Sequence, residues 1–398
     1  MFVWVGVGGL VEMSFRFNDE LLLSESDLIL AEKSYPRVFF ALDNSELRDA
    51  FREVDSAAVA AKNTSRRIGF AALVFATLSL LTFPAEPLVK GIWSNTIEYE
   101  IMFQYLTIAG AVIGFLALFF GNLGLGFGRI KRSWLQKRLI TERLRQWHAQ
   151  YLIAHSAEIA EIATTGNGRH EWLGKRSVAF KRFQRAFIDQ IGSEYAKYTI
   201  SSAAAFSGQS VADPTAKNAF WIDETWAKEA QRKTSAEHKD ALYELYRAYE
   251  ETRMLGQIQY TNYVLSADGA FWSSPAKQLH MLGNFSYILV ILAFMANFVA
   301  LVSAVWSGFP VGWPVLSSLA ITFAIIAVGV RAMLEGLRPE RETRRMEFYA
   351  SALNYANTSF DAARSHGKRV EAMATLERAS YDEMVEFISS NEQARFVL

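Results

Sequence analysis

Residues 281–330 read MLGNFSYILVILAFMANFVALVSAVWSGFPVGWPVLSSLAITFAIIAVGV and contain no Asp, Glu, Lys, Arg or His. About 20 apolar residues in a helix cross the hydrocarbon layer of a membrane, so this stretch is too long for one span. Gly and Pro residues interrupt it within Ser307–Pro314, where Trp313 also suits the membrane interface. The stretch therefore predicts two spans, at about 281–306 and 311–332, joined by a short turn.

A second apolar pair lies upstream and predicts spans at about 68–89 and 101–127. The first of these is the weaker, because Pro84, Glu86 and Pro87 interrupt its outer end. Tilting or local thinning of the bilayer accommodates a span of this length. The sequence thus predicts an all-α membrane protein with two transmembrane helical hairpins, four spans in all, and helical cytoplasmic extensions.

Basic residues flank both hairpins, whereas the segments between the paired spans carry few or none. Because Lys and Arg stay on the cytoplasmic side, both hairpins should enter from and return to the cytoplasm. We expect a multi-pass protein of the bacterial inner membrane with both termini cytoplasmic. Near anionic lipid each such charge is worth about 1 kcal/mol. The candidate membrane-surface residues are Arg129, Lys131, Arg132, Arg338, Arg341, Arg344 and Arg345.

Composition narrows the class of protein. The chain has 398 residues, with 41 basic and 41 acidic side chains and no cysteine. Zero net charge argues against a nucleic-acid binder, and the lack of cysteine excludes disulfides, thiolate catalysis and cysteine-ligated zinc. The apolar N-terminus is short and lacks a basic leader, so it does not predict a signal peptide. Both Met1 and Met13 are plausible start sites.

Periodicity outside the spans is helical, with no strand alternation. We divide the chain into an N-terminal segment (1–44), a first hairpin with a leading helix from Ser45 and a basic helix after it (45–165), a central cytoplasmic helical region (166–233) and a second hairpin unit (234–398). In this last unit, helices are expected at Pro339–Ser365 and Val370–Ser390, broken at His366-Gly367, and coiled-coil packing is plausible. Both hairpins start inside, and such a parallel repeat lowers the odds of an inverted-repeat transporter.

No motif supports catalysis or a cofactor. Gly168–Arg176 resembles a phosphate loop, but its glycine spacing is wrong and Arg176 replaces the Ser or Thr that would hold magnesium. Gly208–Ala212 lacks the closing glycine of a nucleophile elbow. His155, Glu158 and Glu161 are expected on a solvated helix face rather than around a metal. We therefore expect a protein that is not an enzyme.

Within the spans, small and polar residues are the candidates for packing or pore contacts. Gly110-x-x-x-Gly114 is a GxxxG motif, which lets a second helix approach closely, either inside the chain or in an oligomer. Asn297 matters most, because a carboxamide at mid-depth must be paired or wetted. The full candidate set is Gly110, Gly114, Asn122, Asn297, Ser303 and Thr322. No span is expected to contain a buried carboxylate or basic residue, so proton-coupled transport lacks its usual groups.

The second hairpin unit carries a recognisable arrangement. Ahead of the hairpin stand Arg253, Gln257, Tyr260 and Tyr263, and after it come Glu347, Phe348, Tyr349 and Tyr355, then Glu383, Glu386 and Glu392. This arrangement resembles the bacterial two-span effector domains called SLATT over residues 237–398. The first half of the chain is similar only in layout. Phe396 stands where many of those domains end in Trp, which is a departure from the pattern.

The resemblance implies a pore-forming or membrane-disrupting effector in antiviral defence, acting as a homo-oligomer in the lipid bilayer. It also implies activation by a nucleotide second messenger or a separate sensor protein, since the sequence shows no sensing domain of its own. The alternative is a non-enzymatic membrane-anchored scaffold or sensor. A transporter is a weaker alternative, because the spans are few and lack ionisable groups.

Overall fold

The computed structural model describes residues 19–92, 97–192, 195–196, 226–232, 234–266, 271, 274–307 and 313–393. Every regular element in this part of the chain is a helix. Four helical stretches are long and apolar enough to cross a membrane. The predicted all-α class with four candidate spans is therefore confirmed.

The helices follow one another along the chain with short breaks. The first six are α1 (Glu25–Ser34), α2 (Phe39–Leu42), α3 (Ser45–Ile92), α4 (Ile97–Ala154), α5 (Ser156–Thr165) and α6 (Arg169–Phe183), which continues as a π-helical turn over Gln184–Ile188. The next are α7 (Trp226–Ala230), a 3₁₀ turn (Ala236–His238), α8 (Lys239–Tyr249), a π-helical turn (Glu250–Met254) and α9 (Leu255–Leu265). The last four are α10 (Pro275–Ser307), α11 (Trp313–Leu337), α12 (Pro339–Ala362) and α13 (His366–Gln393).

The contacts divide the chain into two compact units. The polar unit takes the described residues of Met1–Ala60, Ser133–Leu265 and Arg344–Glu392. The span unit takes those of Ala61–Arg132 and Ser266–Thr343. Each unit is therefore assembled from separate stretches of the sequence.

In the first hairpin and the basic helix after it, the helix ends differ from the prediction. Helix α3 begins at Ser45, as predicted, but it continues through Pro84 and Pro87 to Ile92. Prolines are tolerated in spanning helices, where neighbouring groups satisfy the freed carbonyls. The sequence predicts the basic helix after the second span over Arg129–Ala163, but α4 ends at Ala154, because His155 leaves the helical conformation before α5 starts.

Glycine conformation sets the break between α5 and α6. Gly166 closes α5 at φ 73° and Gly168 precedes α6 at φ 80°, both in the left-handed region that glycine adopts without steric cost. The sequence predicts a break lasting to Gly174, but the helix resumes at Arg169 and includes Gly174. The phosphate-loop-like stretch is therefore mostly helix. The predicted loop over 206–218, with the elbow-like Gly208–Ala212, lies outside the described residues.

Aromatic and aliphatic side chains fill the core of the polar unit. Trp147 stacks on Tyr151 with ring centroids 5.0 Å apart and also meets Phe180 at 5.0 Å. Helix α13 contributes the apolar stripe that its spacing predicts. The buried stripe consists of Val370, Met373, Leu376, Tyr381, Met384 and Ile388. The predicted break before this helix falls at Ala363–Ser365, just ahead of His366.

Candidate functional site

The GxxxG motif packs the first hairpin within the chain. The Ser79 hydroxyl of α3 donates to the Gly110 carbonyl of α4 at 3.1 Å. A Cβ built on Gly110 would lie 2.7 Å from the Thr82 hydroxyl oxygen, and one on Gly114 would lie 2.8 Å from that of Ser79. Because glycine has no side chain at these two positions, the backbones of α3 and α4 can approach each other closely. In this structure the pair lies at the contact between α3 and α4, and a contact with a second copy stays a prediction.

Gly329 makes the same kind of close contact with α3. It was not among the predicted site residues. A Cβ on Gly329 of α11 would lie 2.7 Å from the Thr77 hydroxyl oxygen of α3. Thr77, Ser79 and Thr82 thus turn the hydroxyls of α3 towards glycines of two other helices. A single glycine forms no spacing motif. The only signal in the sequence for this contact is the presence of three hydroxyl side chains in the first span.

Asn297 has a different environment. Its side chain is exposed on the outer face of α10, and it has no hydrogen-bond partner among the described residues. Phe294 and Phe298 beside it are 72% and 62% exposed. A carboxamide carries two N–H donors and an acceptor oxygen, and leaving them unpaired in hydrocarbon costs free energy. One copy of the chain therefore leaves this polar group unsatisfied at span depth.

The remaining span candidates do not join Asn297 in one site. The Thr322 hydroxyl donates to the Ser318 carbonyl of its own helix at 2.8 Å, a local back-bond. Ser303 is half-buried on α10. Asn122 lies in α4, in a stretch whose side-chain surroundings are outside the described part. The predicted set is thus distributed over several helix faces.

The basic candidates divide into two groups. Those exposed as a membrane-surface role requires are Arg129, Arg132, Arg341 and Arg344. Lys131 is buried, and Arg338 is half-buried at φ 49° in the break between α11 and α12. Arg345 is only 4% exposed, lies 3.2 Å from a Glu383 oxygen and stacks over the Phe387 ring at 4.7 Å. Arg345 is therefore a core residue of the polar unit, because this face of α12 packs on α13.

The polar unit also contains a buried ion cluster, centred on Arg253 and Glu377. Arg253 donates from Nε to Glu377 Oε1 and from Nη2 to Oε2, each at 2.9 Å. Their side chains are 5% and 0% exposed. Two parallel charge-assisted bonds fix the geometry of a guanidinium and a carboxylate more strongly than one. This fork joins α13 to the π-helical turn before α9.

An acidic segment enters the same cluster from the N-terminal side. Glu20 Oε2 accepts from Arg253 Nη1 at 2.6 Å and from Gln257 Nε2 at 3.1 Å. Arg145 Nε lies 3.1 Å from Glu20 Oε1, and its Nη2 lies 3.4 Å from an Asp19 oxygen. Nitrogen atoms of three residues, Arg145, Arg253 and Gln257, thus surround the Glu20 carboxylate.

Glu142 holds Arg145 from the other side. Arg145 Nη1 donates to Glu142 Oε1 at 3.0 Å, and Arg138 pairs with the same oxygen. Burial acts to raise the pKa of Glu142, but the Arg138, Arg145 and Arg253 guanidiniums outweigh it and hold that pKa below its ordinary value. Glu142 is therefore charged throughout the physiological range.

Two tyrosines complete the cluster. Tyr249 donates to Glu377 Oε1 at 2.9 Å, and the Tyr349 hydroxyl donates to Gln257 Oε1 at 3.1 Å and contacts the Ser380 hydroxyl at 2.8 Å. Burial raises the pKa of Tyr249 well above its ordinary value, so the phenol stays protonated and acts as a donor. The arrangement holds charge and orients it, but it presents no activated nucleophile.

Sequence reasoning reached Arg253, Gln257 and Tyr349 only through the family resemblance, and it missed Glu377 and Glu20. Glu377 did carry a signal. It stands four residues after Met373 on the apolar stripe of α13, where a charged residue needs a partner. Glu20 lies in a short non-helical stretch, and no periodicity marks such a residue.

A second buried polar group joins α5, α7, α8 and α13. Glu229 accepts from the Ser156 hydroxyl at 3.1 Å and from the Ala157 N–H at the start of α5. His366 Nε2 lies 3.2 Å from the Glu229 carbonyl oxygen and 3.6 Å from Glu229 Oε1, and its Nδ1 is hydrogen-bonded to the Tyr246 hydroxyl. Burial raises the pKa of Tyr246, so this phenol is not poised to attack a substrate. The group fastens four helices together.

Searches against protein-family models, curated proteins and solved structures each found no match. In the part of the chain that the structure describes, no group of three or more His, Asp or Glu is placed to hold a metal. Two features of the described residues stand out, the exposed Asn297 on the outer face of α10 and the buried arginine cluster of the polar unit.

Proposed function

We propose that this protein is a membrane effector that self-associates through its spans and makes the bilayer permeable. The observation that carries the proposal is the exposed Asn297 carboxamide, which has no partner among the described residues. Its donors and acceptor are complementary to those of another asparagine, so a second copy of the same helix face satisfies both. Such a contact across spans contributes about 0.6–2 kcal/mol.

The hydroxyls of the first span support a path between copies rather than through one. Thr77, Ser79 and Thr82 face glycines of α4 and α11 within the same chain, at distances that leave no room for water. A conducting path therefore needs another polar surface, and the face of α10 around Asn297 supplies one. Residues 281–330 contain no charged side chain, which suits a passive path better than ion-coupled transport.

The resemblance of residues 237–398 to SLATT domains supports the same proposal. It points to a bacterial setting in antiviral defence, while the basic residues beside the spans favour the inner membrane with both termini cytoplasmic. The signal would then arrive as a nucleotide second messenger or through a separate sensor protein. Exposed arginines beside the spans, such as Arg132 and Arg341, suit a cytoplasmic face with anionic lipid.

The test compares Asn297→Leu with Asn284→Leu in liposomes that hold a self-quenched dye. Asn284 is the matched control, because it is exposed on the same helix but its amide already contacts His280 at 3.2 Å. We expect Asn297→Leu to lower dye release about tenfold and to shift single-molecule photobleaching towards one copy per spot, since a lost contact of about 1.4 kcal/mol is a factor of ten. Equal release from both variants would refute the proposal.

A second candidate function is a membrane-anchored scaffold or sensor. It is favoured by Phe348 and Tyr355 on α12, which are 72% and 69% exposed and lie two helical turns apart on one face. In this case the spans only anchor the chain. Replacing both hairpins by unrelated ones of equal length should then preserve cellular activity, whereas Phe348→Ala with Tyr355→Ala should abolish it. A pore-forming effector gives the opposite result for the hairpin exchange.

A further inference from the structure

We infer that Arg145, Arg253 and Gln257 form a binding site for a phosphate group, which the chain's own acidic segment occupies in this structure. This segment, Asp19–Leu23, is called the acidic strap below. The inference goes beyond the proposed membrane activity and does not depend on it.

The site is built without help from the strap. Arg253 places Nε and Nη2 on Glu377, which leaves Nη1 for Glu20. Arg145 places Nη1 on Glu142 and donates from Nη2 to Asp19 at 3.4 Å, while its Nε lies 3.1 Å from Glu20 Oε1. Both guanidiniums are thus held from behind by carboxylates of the helices. Arg253 Nη1 and the Gln257 amide donate to Glu20, and Arg145 Nη2 donates to the adjacent Asp19, so the remaining donors meet two neighbouring carboxylates of the strap.

The charge around these donors matches a phosphate group. Arg138, Arg145 and Arg253 outnumber the helix carboxylates Glu142 and Glu377 by one. The strap then adds two negative charges through Asp19 and Glu20. A phosphate monoester carries a charge of about −1.5 to −2 at neutral pH and offers three acceptor oxygens. It can therefore replace both carboxylates at the converging donors.

The strap is a separable element rather than part of the helical scaffold. It is neither helix nor strand, and the Leu21 N–H closes a local turn on the Asp19 carboxylate at 2.8 Å. Leu22 is held at φ 54°, a conformation that leucine rarely adopts. Buried Leu21 and Leu22 side chains hold the strap down despite this conformation. Strain of this kind is typical of segments that switch between two positions.

Of the two strap carboxylates, Asp19 is in an environment that disfavours its charged form. Burial raises its pKa, Arg145 lowers it and the adjacent Glu20 raises it again, so that the net direction is upward. Two neighbouring carboxylates in one site repel each other, whereas a single phosphate group has no such internal conflict. A phosphate ligand therefore has an advantage over the strap once it reaches the arginines.

The first experiment measures strap release in the full chain, reconstituted in phosphatidylcholine nanodiscs. Hydrogen exchange at the Leu21 and Leu22 amides is followed with pyrophosphate and with sodium chloride of the same ionic strength. We expect pyrophosphate to accelerate exchange about tenfold, because a ligand that binds only the open form shifts the population towards it. Exchange that pyrophosphate leaves unchanged would overturn the proposal.

The second experiment removes the strap charge. Asp19→Asn with Glu20→Gln should tighten pyrophosphate binding about tenfold in equilibrium dialysis, since the competing form loses its hold. Glu25→Gln, an exposed carboxylate at the start of α1, is the control and should leave the affinity unchanged. Equal affinity in all three proteins, or equal tightening by the control, would mean that the cluster is only a structural ion network.

A third arm distinguishes the sources of phosphate. Nanodiscs with phosphatidic acid, without soluble phosphate, are compared with phosphatidylcholine discs that receive pyrophosphate. Faster exchange at Leu21 and Leu22 in the first sample identifies a lipid headgroup, and in the second a soluble compound. Both results support the site, and acceleration in neither refutes it. Because dye release is not measured here, these outcomes are separate from those that test the proposed pore.

Discussion

The helices within each of the two units are held together by different kinds of contact. The polar unit buries charge, with the Arg253–Glu377 fork almost fully enclosed by helices. In the span unit side chains are missing instead, so that Thr82 and Thr77 of α3 pack directly against Gly110 and Gly329. Buried ion pairs therefore fix the helix packing of the polar unit, whereas close approach at glycines fixes that of the span unit.

The solvent of each unit explains the difference. Hydrophobic burial drives helices together in water, and this gain offsets the cost of desolvating a few charges that fix the register. Between helices in lipid there is no comparable drive, so close backbone approach and short polar contacts supply the stability. The comparison predicts different responses to the same kind of substitution.

The largest expected effect is in the ion cluster. Glu377→Leu leaves the Arg253 guanidinium with Glu20 alone and should destabilise the polar unit by about 3–5 kcal/mol. The measurement is urea unfolding in detergent, followed by the emission of the buried Trp147 and Trp172. Replacing both partners, in Arg253→Met with Glu377→Leu, should recover part of the loss. A double variant as unstable as the single one would mean that packing, not charge, dominates.

The control for this prediction is an exposed pair in the same unit. Arg37 lies 3.4 Å from Asp240, with side chains 50% and 80% exposed. Asp240→Asn should change the stability by less than about 1 kcal/mol, because water screens such pairs. A similar cost for Asp240→Asn and Glu377→Leu would contradict the special role given to burial.

The second prediction concerns pH and a buried histidine of the polar unit. Burial, together with the Arg176, Arg253 and Arg48 guanidiniums, lowers the pKa of His148 from 6.5 to about 3. The unfolded chain takes up a proton below its ordinary pKa while the folded chain does not. The contribution of neutral His148 is therefore fully present above pH 6.5 and is lost as the pH falls towards 3.

Between pH 7 and pH 5 the loss assigned to this histidine is about 2 kcal/mol, at about 1.4 kcal/mol per pH unit below its ordinary pKa. The measurement compares urea unfolding of the wild-type protein and His148→Gln at both pH values. The variant should lose less stability on acidification by this amount, which separates the histidine from the carboxylates common to both proteins. Parallel losses would show that His148 is protonated in the folded state.

The third prediction moves to the span unit. A leucine at Gly110 or Gly329 would force α3 away from its neighbour and should cost about 1–3 kcal/mol, as overpacking does. Gly283→Leu is the control, because a Cβ there meets no atom within 4 Å. Thermal unfolding in lipid nanodiscs gives the ranking. Equal stability of Gly283→Leu and Gly329→Leu would remove the argument for close approach.

The sequence predicted what periodicity and hydropathy determine. The four spans follow from long uncharged stretches, and the buried stripe of α13 follows from its spacing. Hydropathy and spacing also single out Asn297 and the GxxxG pair as candidates, because a polar side chain in a span needs a partner and a missing one allows close approach. What the sequence could not give was the direction in which each helix face points.

Two residues show why direction is the missing information. Arg345 follows a span closely, as a lipid-facing arginine does, but it lies on the face of α12 that packs against α13. Glu20 is far from Arg253 in the sequence, and only the tertiary fold brings the two together. Local patterns describe one helix at a time, whereas both contacts depend on which helices become neighbours.

The smallest expected effect compares one hydroxyl in each unit. Ser79→Ala removes the bond to the Gly110 carbonyl and should cost about 0.6 kcal/mol, the mean value for such contacts between spans. Ser380→Ala removes a hydrogen bond to the Tyr349 hydroxyl and should cost about 1 kcal/mol. The cost should not be larger, because the Tyr349 hydroxyl is still hydrogen-bonded to Gln257. The two variants are compared by thermal unfolding in the same nanodiscs. A cost for Ser79→Ala several times larger than for Ser380→Ala would mean that the span unit depends on specific hydrogen bonds. Close packing at its glycines would then not be the main source of its stability, and the contrast between the two units would fail.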